Sequence, residues 1–290
     1  MLQFLKNIFA PIGAILQFIQ TYFKSLLFLL LLFMIFTVTQ KEAMVDANLM
    51  KIHLSGPIME SAGVLAKIEE AQEDEAIKGV LFVVNSPGGA VPPSIEIAEA
   101  IKRLKQHKPV VAYAAGTMAS GSYYASIYAD EILANRGAMI GSIGVIMQGY
   151  NLEEVMQKVG VKEQTISKGI YKQVGTMMRE WNAQEKAELD RLIGDTYTMF
   201  VGDVAKARGL DINQSSDFAD AHIFTAKRAM RVGLIDGLST LYDAQKRVEA
   251  ITKVSKPVWR SESRMDKLFS KVLRESVSEV YTIFSGLKAY

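Results

Sequence analysis

No cysteine occurs anywhere in the 290 residues. Disulfide frameworks, Cys-ligated zinc and thiol nucleophiles are thereby excluded. Histidine is nearly as scarce, with three in the chain. His53 lies in an early strand pattern, His107 in a charged connection and His222 just before a late helix, so none reads as part of a catalytic loop. An excess of one charge is missing as well. Lys and Arg total 33 against 31 Asp and Glu, a net charge of +2. Lys6 and Lys24 supply that excess, because residues 1–40 hold no acid. The remainder is balanced, which offers no basic surface to a nucleic-acid backbone. There is no internal repeat and no low-complexity tract.

Apolar residues make up 49% of the chain, enough for a sizeable core. Leu26 to Phe36 is apolar without a break, and Thr37, Val38 and Thr39 prolong it before Gln40 and Lys41. A span needs about 20 residues, which Tyr22 and Phe23 supply with Lys24 reaching to the surface. Ile8 to Tyr22 is apolar-rich but broken by Pro11 and Gly13, as in a segment lying in the interface. Two other readings are a cleaved signal peptide and a buried core helix. Residues 34–47 show no small-x-small cleavage pattern, and the run has no polar face. A transmembrane helix is therefore expected. The lysines before it place the N-terminus in the cytoplasm and residues 41–290 outside.

Beyond a polar linker at 41–48, strands alternate with helices. Leu49–Leu54 alternates in polarity, Ser61–Gln72 has helical spacing, and Gly79–Val84 is a continuous apolar run of strand length. Pro92-Pro93 opens a helix from Ser94 to Gln106. Pro109–Ala114 predicts another buried strand, followed by a short helix to about Tyr128. Ile132–Ala134 and Met139–Met147 predict further strands. The pattern is that of an α/β fold with a parallel sheet. A long helix is predicted over 184–208, with Leu189, Leu192, Ile193, Tyr197, Phe200 and Val201 buried, and another over Thr225–Arg231. Residues 265–284 repeat apolar positions as an amphipathic helix does, packing on the domain, on a partner subunit or on a membrane surface.

Three features carry chemistry. Asn85-Ser86-Pro87-Gly88-Gly89 follows a buried strand and precedes a helix. Ligands bind at that end of open α/β sheets, and glycine lets backbone N–H groups approach them. Ser120, in Met118-Ala119-Ser120-Gly121-Ser122-Tyr123-Tyr124, sits where a strand turns into a helix. Each feature alone has an ordinary alternative: a plain Pro-Gly turn for the first, a helix N-cap for the second. A serine nucleophile also needs a base. With no suitable imidazole, a lysine held neutral by its surroundings can serve. Lys172 stands among few charges, in Gly169-Ile170-Tyr171-Lys172-Gln173-Val174-Gly175; Lys162 and Lys168 are rivals in more polar surroundings.

Taken in order, the Asn-Ser-Pro-Gly-Gly turn, the Ala-Ser-Gly-x-Tyr-Tyr turn, Gly141-Ser142-Ile143-Gly144 and the Tyr-Lys segment resemble the signal peptide peptidase A, or protease IV, family in its single-length bacterial form. The resemblance covers roughly residues 49–240. It implies a crotonase-like or Clp-protease-like α/β fold with a mostly parallel sheet, a membrane anchor and a Ser-Lys dyad. Ser120 would be the nucleophile, Lys172 the general base and Ser142 the residue orienting the lysine. Backbone N–H groups of Gly88 and Gly121 would form the oxyanion hole. Two residues depart from the family pattern: Ser122 replaces a glycine, and Gln173 replaces an acidic or small residue.

The implied protein is a single-pass inner-membrane serine endopeptidase that degrades cleaved signal peptides. It would need no cofactor or metal, and it would assemble as a ring-like homo-oligomer that can complete the dyad across subunits. The implied organisation is a cytoplasmic tail and anchor at 1–40, a linker at 41–48, a peptidase domain at 49–260 and a C-terminal helix at 261–290. A crotonase-type acyl-CoA enzyme and a catalytically silent membrane scaffold are the alternatives.

Overall fold

The computed structural model describes residues 17–25, 27–32 and 47–260. Residues Met1–Asp46 form one unit and Ala47–Tyr290 another. In the first, residues 17–25 and 27–32 are helical, and Phe18 packs on Tyr22 with ring centroids 4.8 Å apart. Among the described residues no helix is long and apolar enough to cross a membrane. Much of the expected span lies outside the described residues, as does the helix expected at 265–284.

The second unit is built on a seven-stranded sheet. In chain order its elements are β1 (Leu49–Ser55), α1 (Ala62–Glu73), β2 (Gly79–Ser86), α2 (Val91–Leu104), β3 (Val110–Ala119), α3 (Gly121–Ser126), β4 (Glu131–Ala134) and β5 (Met139–Gly141). Then follow α4 (Glu153–Lys158), α5 (Ala183–Arg208), a 3-10 turn at Ile212–Asp217, β6 (Ile223–Thr225), α6 (Ala226–Arg231), β7 (Gly237–Leu238) and α7 (Leu241–Thr252). The strand order is β1-β2-β3-β4-β7, parallel throughout. β5 runs parallel to the far end of β3, and β6 pairs antiparallel with β5.

The apolar run of β2 is explained by its cover on both faces. Val80, Phe82 and Val84 belong to the large core with Ile97 and Ile101 of α2. Leu81 and Val83 belong to a second cluster with Ala244 and Val248 of α7. Side chains alternate faces along a strand, so a strand covered twice has no polar positions. The exposed edge of β1 is capped by the chain itself. Leu49 bridges Trp259, Arg260 N–H donates to the Leu49 carbonyl at 2.7 Å, and the Val258 carbonyl accepts from Asn48 and Leu49. This cover reaches the first residue of the strand, where it blocks pairing with another chain.

β3 changes partners halfway along. Its first half pairs with β4 and its last three residues with β5. Where it peels away the β2–β3 register shifts, and the Asn85 side chain accepts the Thr117 N–H at 3.0 Å. Gly116 leaves room for that amide, since a Cβ there would lie 2.5 Å from Asn85 Oδ1.

Two expectations are corrected. The strand at 139–147 ends at Gly141, because Gly141 (φ 106°) and Ser142 (φ 50°) turn the chain out of extended geometry. Leu192 is 57% exposed; on α5 the buried apolar residues are Leu189 in the first half and Phe200, Val201, Val204 and Ala205 in the second.

Candidate active site

The carboxyl ends of β2 and β3 lie side by side, so the two turns singled out by the sequence meet. Ser120 has φ 53° and ψ −127°, outside the regions an L-residue favours. Its N–H donates to the Gly141 carbonyl at 2.8 Å and its carbonyl accepts from Tyr124 N–H at 3.0 Å. These bonds hold the strained turn. Its side chain makes no cap hydrogen bond, so the helix-cap alternative does not describe it.

Gly88 abuts this turn. It has φ 92°, and a Cβ on it would lie 2.6 Å from Gly121 N, 2.7 Å from the Ala119 carbonyl and 2.8 Å from Ser120 Cβ. The two expected oxyanion donors thus come from backbones in contact. Gly88 N–H donates to the buried Ser86 hydroxyl at 3.2 Å. Gly121 is equally confined, with Ser94 Oγ 2.2 Å from its hypothetical Cβ.

A cavity of about 90 Å³ opens beside Ser120 and Gly121. Val91 and Ile95 of α2, Tyr124 of α3, Val145 and Ile146, and Met199 and Phe200 of α5 line it. The Tyr124 ring meets Phe200 edge-on at 5.1 Å, and its hydroxyl donates to Asp203 at 2.5 Å. Burial first, and then that carboxylate, push the phenol far above its ordinary value. Tyr124 is thereby kept a neutral wall residue.

Strain gathers around the same place. Among the described residues five non-glycine positions have positive φ, and four of them, Ser120, Ser142, Asp220 and Ala221, belong to this neighbourhood. Strained backbone persists where surrounding structure over-determines it, commonly at functional sites. Ser142 N–H donates to the His222 carbonyl at 2.7 Å, Ala221 N–H to the Ile143 carbonyl at 2.9 Å, and Tyr197 hydroxyl to Asp220 at 2.6 Å. The Gly-Ser-Ile-Gly turn is thus tied to the Ser120 turn on one side and, through 220–222, to α5 on the other.

With that geometry in place the kinship can be tested. Residues 102–255, just over half the chain, match the model of peptidase family S49. The chain belongs to that family. A Methanocaldococcus jannaschii protein named as a protease is 40% identical over 190 residues, covering 66% of this chain and 61% of that protein. A Synechocystis protein named as a protease is 37% identical, over 68% of this chain and 71% of that protein. One named signal peptide peptidase SppA, from Enterococcus faecium, is 35% identical over 62% of this chain and 53% of that protein. This S49 chain therefore spans between about half and seven-tenths of those relatives. Among solved structures, a point mutant of ClpP1 from Listeria monocytogenes superposes with a TM-score of 0.47 at 15% identity, covering 67% of this chain and 93% of that one.

The fold brings together Ser120, Gly88, Gly121 and the turn of Ser142. It does not bring Lys172 to them within one chain. Lys172 is exposed, in the connection between α4 and α5, and is not among the residues lining the cavity. Sequence reasoning missed what Ser122 does. Its buried hydroxyl donates to the Ser86 carbonyl at 2.7 Å and accepts from Ala119 N–H at 2.9 Å, stitching the two glycine turns together. The signal was its departure from the family's glycine. Ser122→Ala removes two buried hydrogen bonds between the turns, which costs about 1–3 kcal/mol. Thermal unfolding should show a lowered Tm; an unchanged Tm would mean that water replaces the hydroxyl.

Proposed function

We propose that this S49 chain is a membrane-anchored serine endopeptidase that degrades apolar peptides, cleaved signal peptides among them. The observation that carries the reading is Ser120: strained, free of any capping role, placed against two glycine amides and opening on an apolar cavity. In the proposed mechanism the unprotonated Lys172 amine takes the Ser120 proton as the oxygen attacks a peptide carbonyl. The tetrahedral oxyanion rests on the Gly88 and Gly121 N–H groups. The lysine returns the proton to the leaving amine, and water then hydrolyses the ester. Ser142 orients the lysine. The step needs no cofactor.

The same proposal assigns the crotonase/Clp-protease-like fold, on the strength of the ordered motifs, and the domain limits 1–40, 41–48, 49–260 and 261–290. It places residues 1–40 as tail and anchor in the inner membrane, N-terminus cytoplasmic, on the lysines and the apolar run at 26–36. It also assigns a ring-like homo-oligomer. The connection carrying Lys172 exposes large apolar side chains, among them Ile166 and Ile170 at 100% and 75%, and Ile146, in the segment before α4, is 83% exposed. A neighbouring copy would cover them and receive Lys172 beside its own Ser120.

The full chain, purified in detergent, is expected to cleave peptides with an apolar core. Turnover of acyl-CoA without peptide cleavage would support the crotonase-type alternative, and no turnover of either would support a silent scaffold.

A further inference from the structure

The turn that bears Lys172 is short and exposed, yet a general base needs its amine held within a fraction of an ångström. The side chain that follows Lys172 reaches an arginine. Gln173 Oε1 accepts from Arg179 Nη2 at 3.3 Å. Arg179 is itself locked. It grips both oxygens of Glu185, at 2.8 and 2.7 Å, and donates to the Glu180 carbonyl at 3.0 Å.

Glu185 is 2% exposed and belongs to the start of α5. Its Oε2 accepts Asn182 N–H at 2.9 Å while Asn182 Oδ1 accepts Glu185 N–H at 2.9 Å, a reciprocal capping box. The Arg179 bonds first, then the Asn182 amide, hold its carboxyl down to about 2, so it stays ionised. Trp181 adds a further tie, donating from Nε1 to the Thr176 carbonyl at 2.6 Å.

These bonds have a common end point. α5 carries Glu185 in its first half and, further along, Thr196, Met199 and Phe200, which wall the cavity. We infer that Arg179, locked on Glu185, is a positioning residue for Lys172: through Gln173 it fixes the turn that presents the amine onto the buried start of α5. The inference rests on the reading of Lys172 as general base. It also gives Gln173, a departure from the family pattern, a defined part as a neutral acceptor for a guanidinium that already has its carboxylate.

The test separates this role from simple stability. Gln173→Ala removes the acceptor and leaves the Arg179–Glu185 pair intact. On an apolar peptide substrate, kcat should fall about tenfold with KM within about twofold, the signature of misplaced chemistry and not lost binding. Tm should stay at the wild-type value. Gln173→Glu keeps an acceptor facing the guanidinium and should restore kcat. Wild-type kcat in Gln173→Ala, failure of Gln173→Glu to rescue, or a loss that tracks a falling Tm would each overturn the inference. Lys172→Ala is measured alongside. An inactive Lys172→Ala with a fully active Gln173→Ala overturns the positioning role alone, whereas an active Lys172→Ala overturns the base assignment and the positioning role together.

Discussion

Ser120→Ala and Lys172→Ala each lower kcat/KM on an apolar peptide by about 10³-fold or more. The serine variant removes the atom that forms the ester. The lysine variant removes the only group assigned to take its proton, and a positioned base contributes about 10²–10⁴-fold. The two act as one unit, so the double variant should be no slower than the worse single one. Neither change touches the core: Ser120 is half-buried at a turn and Lys172 is exposed. Both variants should therefore keep the wild-type Tm, and loss of activity with intact folding is the outcome to look for. Substantial turnover by either variant would remove the dyad. If the base arrives from a neighbouring copy, mixing the two inactive variants should restore part of the activity.

Gly88→Ala is the second large effect. At φ 92° an alanine is strained, and its Cβ would meet Gly121 N, the Ala119 carbonyl and Ser120 Cβ, all closer than 3.0 Å. None of these is the tip of a flexible side chain, so the nucleophile turn itself must move. Loss of one oxyanion donor costs about 10²–10³-fold in kcat, and displacement of Ser120 adds to it. Gly63→Ala is the control. Gly63 lies in α1, has no atom within 4 Å of an added Cβ and no positive φ. Alanine there should leave kcat unchanged and raise helix stability slightly. Equal activity in Gly88→Ala and wild type would show that this amide does not face the oxyanion.

Local pattern made the scaffold readable where each rule had only one solution. The continuous apolar run of β2 required cover on both faces, and α1, α2 and α7 supply it. Pro92 and Pro93 marked the start of α2 to within a turn. The long α5, expected over 184–208, runs from Ala183 to Arg208. What escaped was set by distant partners. α7 begins at Thr240 with Asp243 three residues on, a start signal, but its burial depends on the far face of β2 and β3. β6 and β7 are three and two residues long and exist only because β5 and β4 wait for them.

The site divided in the same way. Gly88, Ser120 and Ser142 were singled out by four motifs in order and their family resemblance, since each turn alone had an ordinary alternative. Ser122 looked like a mere substitution, since its carbonyl partner Ser86 lies 36 residues earlier. Tyr124 and Asp203, which shape the cavity, are 79 residues apart, and no spacing rule joins them. The surroundings of Lys172 were the least legible. The bond beside it runs from Gln173 to Arg179, and Lys172 itself is exposed, away from the residues that line the cavity.

The most direct test of the central claim is the site of covalent labelling by a serine-directed fluorophosphonate. The full chain, reacted in detergent and mapped by peptide mass spectrometry, should carry one adduct, on Ser120. The labelling rate should collapse in Lys172→Ala. An adduct on another serine, or undiminished labelling of Ser120 when Lys172 is gone, would contradict the account.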